Sequence, residues 1–285
     1  MNIGIIGLGL IGGSIGKAIT GINKHTVYGD DLDNNVVLKA QLVNAIDYKL
    51  TENDYQKLDM LIIGTYPRAF GSIVDKIAPK LLDGTIILDI AGIKRSIVAD
   101  MEKAKKAYPK LNFIATHPMA GKEFSGIEHS SVNLFNNASM LMINVHCDMD
   151  TLTTAKDLFE AVGFTKIVLT TPDEHDKIIA FTSQLAHIIS SSYIKSEQAI
   201  LHDGFSAGSF RDLTRVAKLN PTMWTELFMD NSDNLLNELN SLISNLNKYK
   251  TALEKKDEDT LFALLEEGNE KKISIEAKTR SWKRS

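Results

Sequence analysis

Over the first 170 residues, short runs apolar at consecutive positions alternate with segments whose apolar residues recur every three or four positions. The runs Asn2–Ile6, Thr26–Gly29, Met60–Gly64, Thr85–Asp89, Asn112–Thr116, Met140–Val145 and Lys166–Leu169 lack polar alternation. That predicts strands buried on both faces, as in a parallel sheet. Helical periodicity falls between most of them, over Gly13–Ile22, Asn34–Val43, Arg68–Leu82, Lys94–Ala107 and Leu152–Val162. Strand–helix alternation of this kind predicts a doubly wound α/β sheet. Pro118 to Ala138 follows neither period and is expected as a long loop, a feature that in compact domains usually carries function.

Beyond Thr170 the strand signal stops. Thr171-Pro172-Asp173-Glu174 supplies an N-cap, a proline at the first helical position and a glutamate three residues after the cap. A helix is expected from there to about Gln198, with Ile178, Phe181, Leu185, Ile188 and Ser192 on its apolar side. Leu235, Leu239, Leu242, Leu246, Tyr249 and Leu253 are spaced 4, 3, 4, 3, 4, the seam of a heptad pattern. A last helix is expected from Asp257 to about Thr279. The expected division is a domain over residues 1–170 and an all-α domain over 171–285. The seam either closes within one subunit or joins two; a homodimer through the helical domain is the favoured reading.

Composition narrows the class. The chain has 285 residues, 44% hydrophobic and 24% charged, as in an ordinary globular protein of about two domains. Its net charge of -4 disfavours a nucleic-acid partner. The single cysteine, Cys147, excludes an internal disulfide and is expected as a small buried hydrophobe. The apolar start of the chain is interrupted by Gly4, Gly7, Gly9, Gly12 and Gly13, unlike a secretory leader or membrane span. A cytoplasmic protein without membrane contact is expected. No His, Asp or Glu pair has metal-ligand spacing, so no metal is expected.

Those glycines carry the first chemical signal. Gly7-x-Gly9-x-x-Gly12 directly follows a strand and opens a helix, the context that turns a weak motif into a dinucleotide-binding one. Gly7 permits the tight turn, Gly9 the approach of a pyrophosphate, and Gly12 close helix–strand packing. Leu10, Ile11 and Gly12 begin the helix, whose free N–H groups and dipole favour phosphate. The fold expected is therefore a Rossmann-type doubly wound sheet. The second strand runs into Asp30-Asp31, and Asp31 lies 19 residues beyond Gly12. An acid there binds the ribose 2′-hydroxyl and repels a 2′-phosphate, so NAD is expected rather than NADP. Either acid fits the register, and Asp31 is preferred. Nothing downstream resembles a second dinucleotide segment, which disfavours FAD.

Ligands of such sheets bind beyond the carboxyl ends of the strands. Those ends carry Thr65, Gly92-Ile93-Lys94 and His117. His117 is held extended by Pro118 and opens the long loop. A neutral imidazole there can accept a hydroxyl proton during hydride transfer; equally, a strand-end histidine can be structural.

Four segments carry a resemblance that spans nearly the whole chain. His117-Pro118-Met119-Ala120-Gly121 with Glu123 and Ser125-Gly126, Ser183-Gln184-Leu185-Ala186-His187, Phe210-Arg211-Asp212-Leu213-Thr214-Arg215, and Asn220-Pro221-Thr222-Met223-Trp224 are similar, in order, to segments of the prephenate/arogenate dehydrogenase family. The resemblance implies an NAD-dependent oxidative decarboxylation of prephenate to 4-hydroxyphenylpyruvate in tyrosine biosynthesis. It implies that His117 takes the C4 hydroxyl proton, that His187 lines the substrate end of the pocket, and that Arg215 pairs with the ring carboxylate. A guanidinium fork suits that carboxylate. Ser183 shares a helix face with His187 and is a candidate to orient it, and Lys122, Lys94 and Arg211 are further candidate cations. His175 is expected as an exposed first-turn residue, with an approach to cofactor or loop the alternative.

The chain departs from the pattern at Gly92, where many relatives carry a serine that hydrogen-bonds the catalytic histidine. His117 then needs another partner, Thr65 being one candidate. Gln184 and Ala186 replace a histidine and a proline common in relatives, and Lys122 a smaller residue. Arogenate dehydrogenase activity, a β-hydroxyacid or imine reductase with a catalytic lysine such as Lys177 or Lys195, and an NAD-responsive binding protein without chemistry are the rival readings. The two expected domains use up the 285 residues, leaving no room for a fused mutase or regulatory domain.

Overall fold

The computed structural model describes residues 1–282; the last three residues of the expected helical domain lie outside them. Residues 1–170 form β1 (Asn2–Ile6), α1 (Leu10–Ile22), β2 (Thr26–Asp30), α2 (Asn34–Leu42), β3 (Tyr48–Lys49), β4 (Met60–Ile63), α3 (Phe70–Ile77), β5 (Ile86–Asp89), α4 (Arg95–Ala107), β6 (Asn112–Pro118), β7 (Ser139–Val145), α5 (Met149–Val162) and β8 (Lys166–Leu169). The strands make one sheet in the order β3-β2-β1-β4-β5-β6-β7-β8. This is a Rossmann-type sheet whose winding reverses between β1 and β4, the place where ligands bind in such folds.

All neighbours are parallel except β6 and β7, where His117 lies opposite Leu141. Parallel strands need a crossover, commonly a helix. Residues 119–138 provide none, so β7 returns antiparallel beside β6. Seven of the eight strands coincide with the apolar runs. β3 was not expected: it is two residues long, both exposed, pairing Tyr48 with Tyr28 and Lys49 with Gly29. Two residues are too short to display a period.

Alternate residues of each strand feed opposite cores. Met60 and Ile62 join Ile3, Ile5, Phe135 and Phe159 on one face, while Leu61 and Ile63 join Phe70, Met101 and Phe113 on the other. Phe164 stacks on Phe135 at 4.7 Å between ring centroids and meets Phe159 edge-on at 5.8 Å. Cys147 is half-buried and donates its Sγ proton to the Phe113 carbonyl, and burial pushes its thiol up.

The remaining elements are helical: α6 (Pro172–Ile179), a π-helical turn over Ala180–Leu185, α7 (Ala186–Tyr193), α8 (Gly208–Thr214), α9 (Pro221–Met229), α10 (Ser232–Lys255) and α11 (Glu258–Trp282). The expected single helix to Gln198 is thus interrupted and shorter. Its face is also different. Ile178 and Phe181 are exposed, whereas His175, Asp176, Ile179, Ala180, Gln184 and Leu185 are buried. A π turn inserts an extra residue into the ladder and breaks the 3.6-residue register on which the expected face rested. By compactness the chain forms two units, Met1–Ser232 and Asp233–Ser285. In the second, Leu246 and Leu253 of the heptad seam are exposed, as are Phe262 and Leu265 on α11. Among the described residues no helix is long and apolar enough to cross a membrane.

The aromatic cluster gives a test of the core. Phe159→Ala should destabilise the protein by about 3–5 kcal/mol through lost burial and a residual cavity. A denaturant midpoint unchanged from the parent would contradict this packing.

Candidate active site

The glycine loop between β1 and α1 is shaped by two steric demands. Gly7 has φ +91°, and a Cβ there would overlap the Gly64 carbonyl; a Cβ on Gly12 would overlap the Gly7 carbonyl. Gly9, by contrast, faces open space. The first helix-closing bond of α1 is Gly13 N to Gly9 O at 2.9 Å, and no side chain caps the helix. The N–H groups of Leu10, Ile11 and Gly12 are therefore left to a ligand, an arrangement that suits a phosphate group. β2 ends at Asp30, and Asp31 follows directly. Its carboxylate accepts the Leu8 N–H at 2.8 Å and the Asp33 N–H at 3.1 Å, which sets it against the glycine loop. The Thr65 hydroxyl lies beyond the end of β4, half-buried, 3.5 Å from the Tyr66 carbonyl. Bare phosphate donors, an open Gly9 and an acid at the loop fit a dinucleotide.

A second group gathers at the ends of β5 and β6. His117 is half-buried, and its Nδ1 lies 2.9 Å from His175 Nε2. His175 is 2% exposed, and its Nδ1 lies 2.7 Å from Asp176 Oδ1. This corrects the expectation of an exposed first-turn residue. It also corrects the search for a partner of His117 in Thr65: the partner comes from α6. Asp176, fully buried, also accepts the Lys94 N–H at 2.8 Å and the Arg95 N–H at 2.9 Å. Those N–H groups lie at the start of α4, where the helix itself offers them no acceptor, so one carboxylate caps one helix while orienting a histidine on another. Asn231 donates to the Asp176 carbonyl and to Gln184 Oε1, each at 2.8 Å, and Gln184 donates to the Leu227 carbonyl at 2.8 Å. Leu227 stands over Gly92, with methyl carbons 3.4 and 3.7 Å from where a Cβ would lie. Gln184, a departure from the family pattern, is thus tied into this buried network.

Electrostatics follow from burial. Burial pushes His117 well below the ordinary imidazole value, with His175 and Lys94 adding to it. His175 is also lowered by burial, against the opposing hydrogen bond to Asp176. Burial works to raise Asp176, but bonds from His175 and from the Arg95 and Lys94 N–H groups hold it below its usual value. Lys94, a candidate cation in the sequence, is 1% exposed and ion-paired with Asp89. Asp89 accepts further N–H groups from Ala91 at 2.8 Å and Thr116 at 2.9 Å.

The other expected substrate residues form a third group. His187 Nδ1 is 3.2 Å from the Val216 carbonyl, and its ring lies on Trp224 at 3.9 Å between centroids. Ser183 therefore does not orient His187, as the sequence had suggested; the neighbouring carbonyl and indole do. Arg215 Nη1 is 3.6 Å from Glu123 of the long loop, both side chains exposed. Arg215 is close enough to His187 to lower its pKa, after burial. Lys122 donates to the His129 carbonyl at 3.0 Å within the loop. The loop itself is fastened to the nucleotide side: Ser131 donates its N–H to Ser14 Oγ at 2.9 Å and Lys17 donates to the Ser130 carbonyl at 3.0 Å. Sequence reasoning missed Asp176 and Asn231, noted Gln184 only as a departure from the family pattern, and discounted His175. For Asp176, the signal available was its adjacency to His175 near the start of α6.

A glycine loop on a helix N-terminus after β1, with an imidazole at the end of β6 in the same sheet, is the arrangement of a dinucleotide-dependent dehydrogenase. Residues 15–169 match the prephenate dehydrogenase nucleotide-binding domain, and residues 171–267 match the prephenate dehydrogenase dimerization domain. The chain belongs to the prephenate dehydrogenase family. It is 29% identical to a cyclohexadienyl dehydrogenase of Zymomonas mobilis subsp. mobilis, over 96% of each chain. Among solved structures it is similar to an A. aeolicus prephenate dehydrogenase in complex with hydroxyphenyl propionate and NAD+. The TM-score is 0.83 and the identity 26%, covering 96% of this chain and 98% of that one. A Synechocystis arogenate dehydrogenase gives a TM-score of 0.77 at 26% identity, covering 96% of this chain and all of that one.

The buried ion pair offers a check on the site's foundation. Lys94→Met leaves Asp89 without its cation and should cost about 3–5 kcal/mol of stability. A variant as stable as the parent by denaturant titration would mean that the pair does not brace the β5 end.

Proposed function

We propose that this protein oxidises and decarboxylates prephenate to 4-hydroxyphenylpyruvate, with NAD as hydride acceptor. The observation that carries the reading is His117, a half-buried imidazole at the β6 end, held on one nitrogen, in a sheet whose β1 end carries the glycine loop. Gly7, Gly9, Leu10, Ile11, Gly12, Asp31 and Thr65 would hold the cofactor, with Asp31 against the ribose. Bound NAD would take the hydride from C4 of the substrate. His117 would accept the C4 hydroxyl proton through its free ring nitrogen. Burial keeps that ring neutral and so competent as a base. The Arg215 fork would hold the ring carboxylate until it departs as CO2, exchanging its Glu123 partner for substrate. His187, Ser183 and Lys122 would complete the substrate end. Aromatisation drives the reaction, so the enzyme needs mainly orientation and one base.

Relatives named for prephenate, arogenate and cyclohexadienyl substrates stand at similar identity, which keeps arogenate as a second reading. An imine reductase is disfavoured by Lys177 and Lys195, both exposed, while the buried side of α6 presents His175 and Asp176. We assign nucleotide binding to residues 1–170 and the helical role to 171–285. A homodimer would cover the exposed Leu246, Leu253, Phe262 and Leu265. Light scattering should then return twice the protomer mass; a monomer at micromolar concentration would refute it.

The activity test is direct. Reduced-cofactor absorbance should rise when protein, NAD and prephenate or arogenate are mixed; no signal with either sinks the enzymatic reading. His117→Asn should lower kcat by about a hundredfold or more without loss of NAD binding. Arg215→Ala should chiefly raise KM. Because burial depresses the His117 pKa, kcat/KM should persist below pH 6.5, the ordinary imidazole value, and fall only as the pH drops through the lower one.

A further inference from the structure

We infer that His175, oriented by Asp176, is the positioning residue that fixes His117 as its Nδ1–H tautomer and so leaves Nε2 as the nitrogen that accepts the substrate proton. The inference rests on the reading of His117 as base and says how that base is set.

The direction of the chain follows from donor and acceptor counting. Asp176 is buried and receives two backbone N–H groups at the start of α4. Those donors, and the positive end of the helix dipole, keep it a carboxylate, which only accepts. His175 Nδ1, 2.7 Å away, must therefore carry the hydrogen. A neutral His175 then has only a lone pair on Nε2. His117 Nδ1 lies 2.9 Å from that lone pair and must donate to it. The remaining nitrogen of His117, Nε2, has no proton. Reversing any one link would set two donors or two acceptors face to face in a buried place. When His117 takes the substrate proton, its Nδ1–H still points at an acceptor whose far side ends on a carboxylate. The new positive charge is thus stabilised without moving a side chain.

The charged groups around the ring are consistent with this. From β5 and the segment after it come Asp89 and Lys94, paired with one another. From α4 comes Arg95, whose side chain lies on Asp176 at 3.3 Å. From α6 come His175 and Asp176 themselves. Lys94 disfavours an imidazolium, which leaves Asp176 as the anion aligned with the histidine pair. At Gly92, where a serine could otherwise reach His117, Leu227 stands instead.

The test uses the full chain, with nitrogen-15 in its histidine rings. In the protein without cofactor, the His117 resonances, assigned by their loss in His117→Asn, should show a protonated Nδ1 and an unprotonated Nε2. His175→Asn can still reach Asp176 but not His117, so it should lose that signature. It should also lower kcat by about ten- to a hundredfold, with KM little changed. His175→Gln places an amide oxygen near the former Nε2 and should restore the signature and most of the kcat. A merely structural residue would not be rescued in this way. An Nε2–H tautomer of His117 in the parent protein would overturn the inference, as would Asn and Gln variants that both keep the parental signature and kcat. The parent spectrum decides the question even if the Asn variant fails to fold. If the signature holds while neither prephenate nor arogenate is oxidised, the positioning stands and the function proposed above falls.

Discussion

One carboxylate holds the site together. Asp176 sits near the start of α6, yet it caps the N-terminus of α4, a helix of the sheet domain. Removing a buried hydrogen-bonded charge leaves several donors unpaired at once, a larger loss than the mean value of any single bond. The same atom that accepts the Lys94 N–H also fixes the His175 ring. Asn231 and Gln184 extend the network from the helical side. The helical segment after Thr170 thus docks on the sheet through polar groups, and the docking surface and the site are one.

This explains how legible each part was. The sheet was readable because buried parallel strands are apolar on both faces, and runs such as Met60–Ile63 declare themselves. The glycine loop was readable because Gly7 and Gly12 answer steric demands that no other residue meets. His117 was readable by its place at a strand end. The buried network was not. His175, Asp176, Gln184 and Asn231 are polar, and periodicity assigns polar residues to solvent. Their burial depends on partners 43 to 82 positions away, which no local window contains. The π turn compounded the error by shifting the helix face, so that Ile178 and Phe181 traded places with a polar set.

The antiparallel return of β7 has its own role. A crossover helix after β6 would have placed structure over the sheet face. Without one, the chain between His117 and Ser139 is free of a covering helix and reaches α1. Glu123 there meets Arg215, and Lys122 is turned back onto its own loop. A single stretch of backbone thus carries both the partner of Arg215 and the residues bonded to α1.

The fastening of that stretch to α1 through Ser14 and Lys17 bears on entropy. A loop left free would have to be ordered each time a ligand arrives, at a cost of roughly 1–2 kcal/mol for each residue immobilised. Here folding has already ordered its middle, so a ligand bound against it would consume less of its binding free energy in arranging the protein.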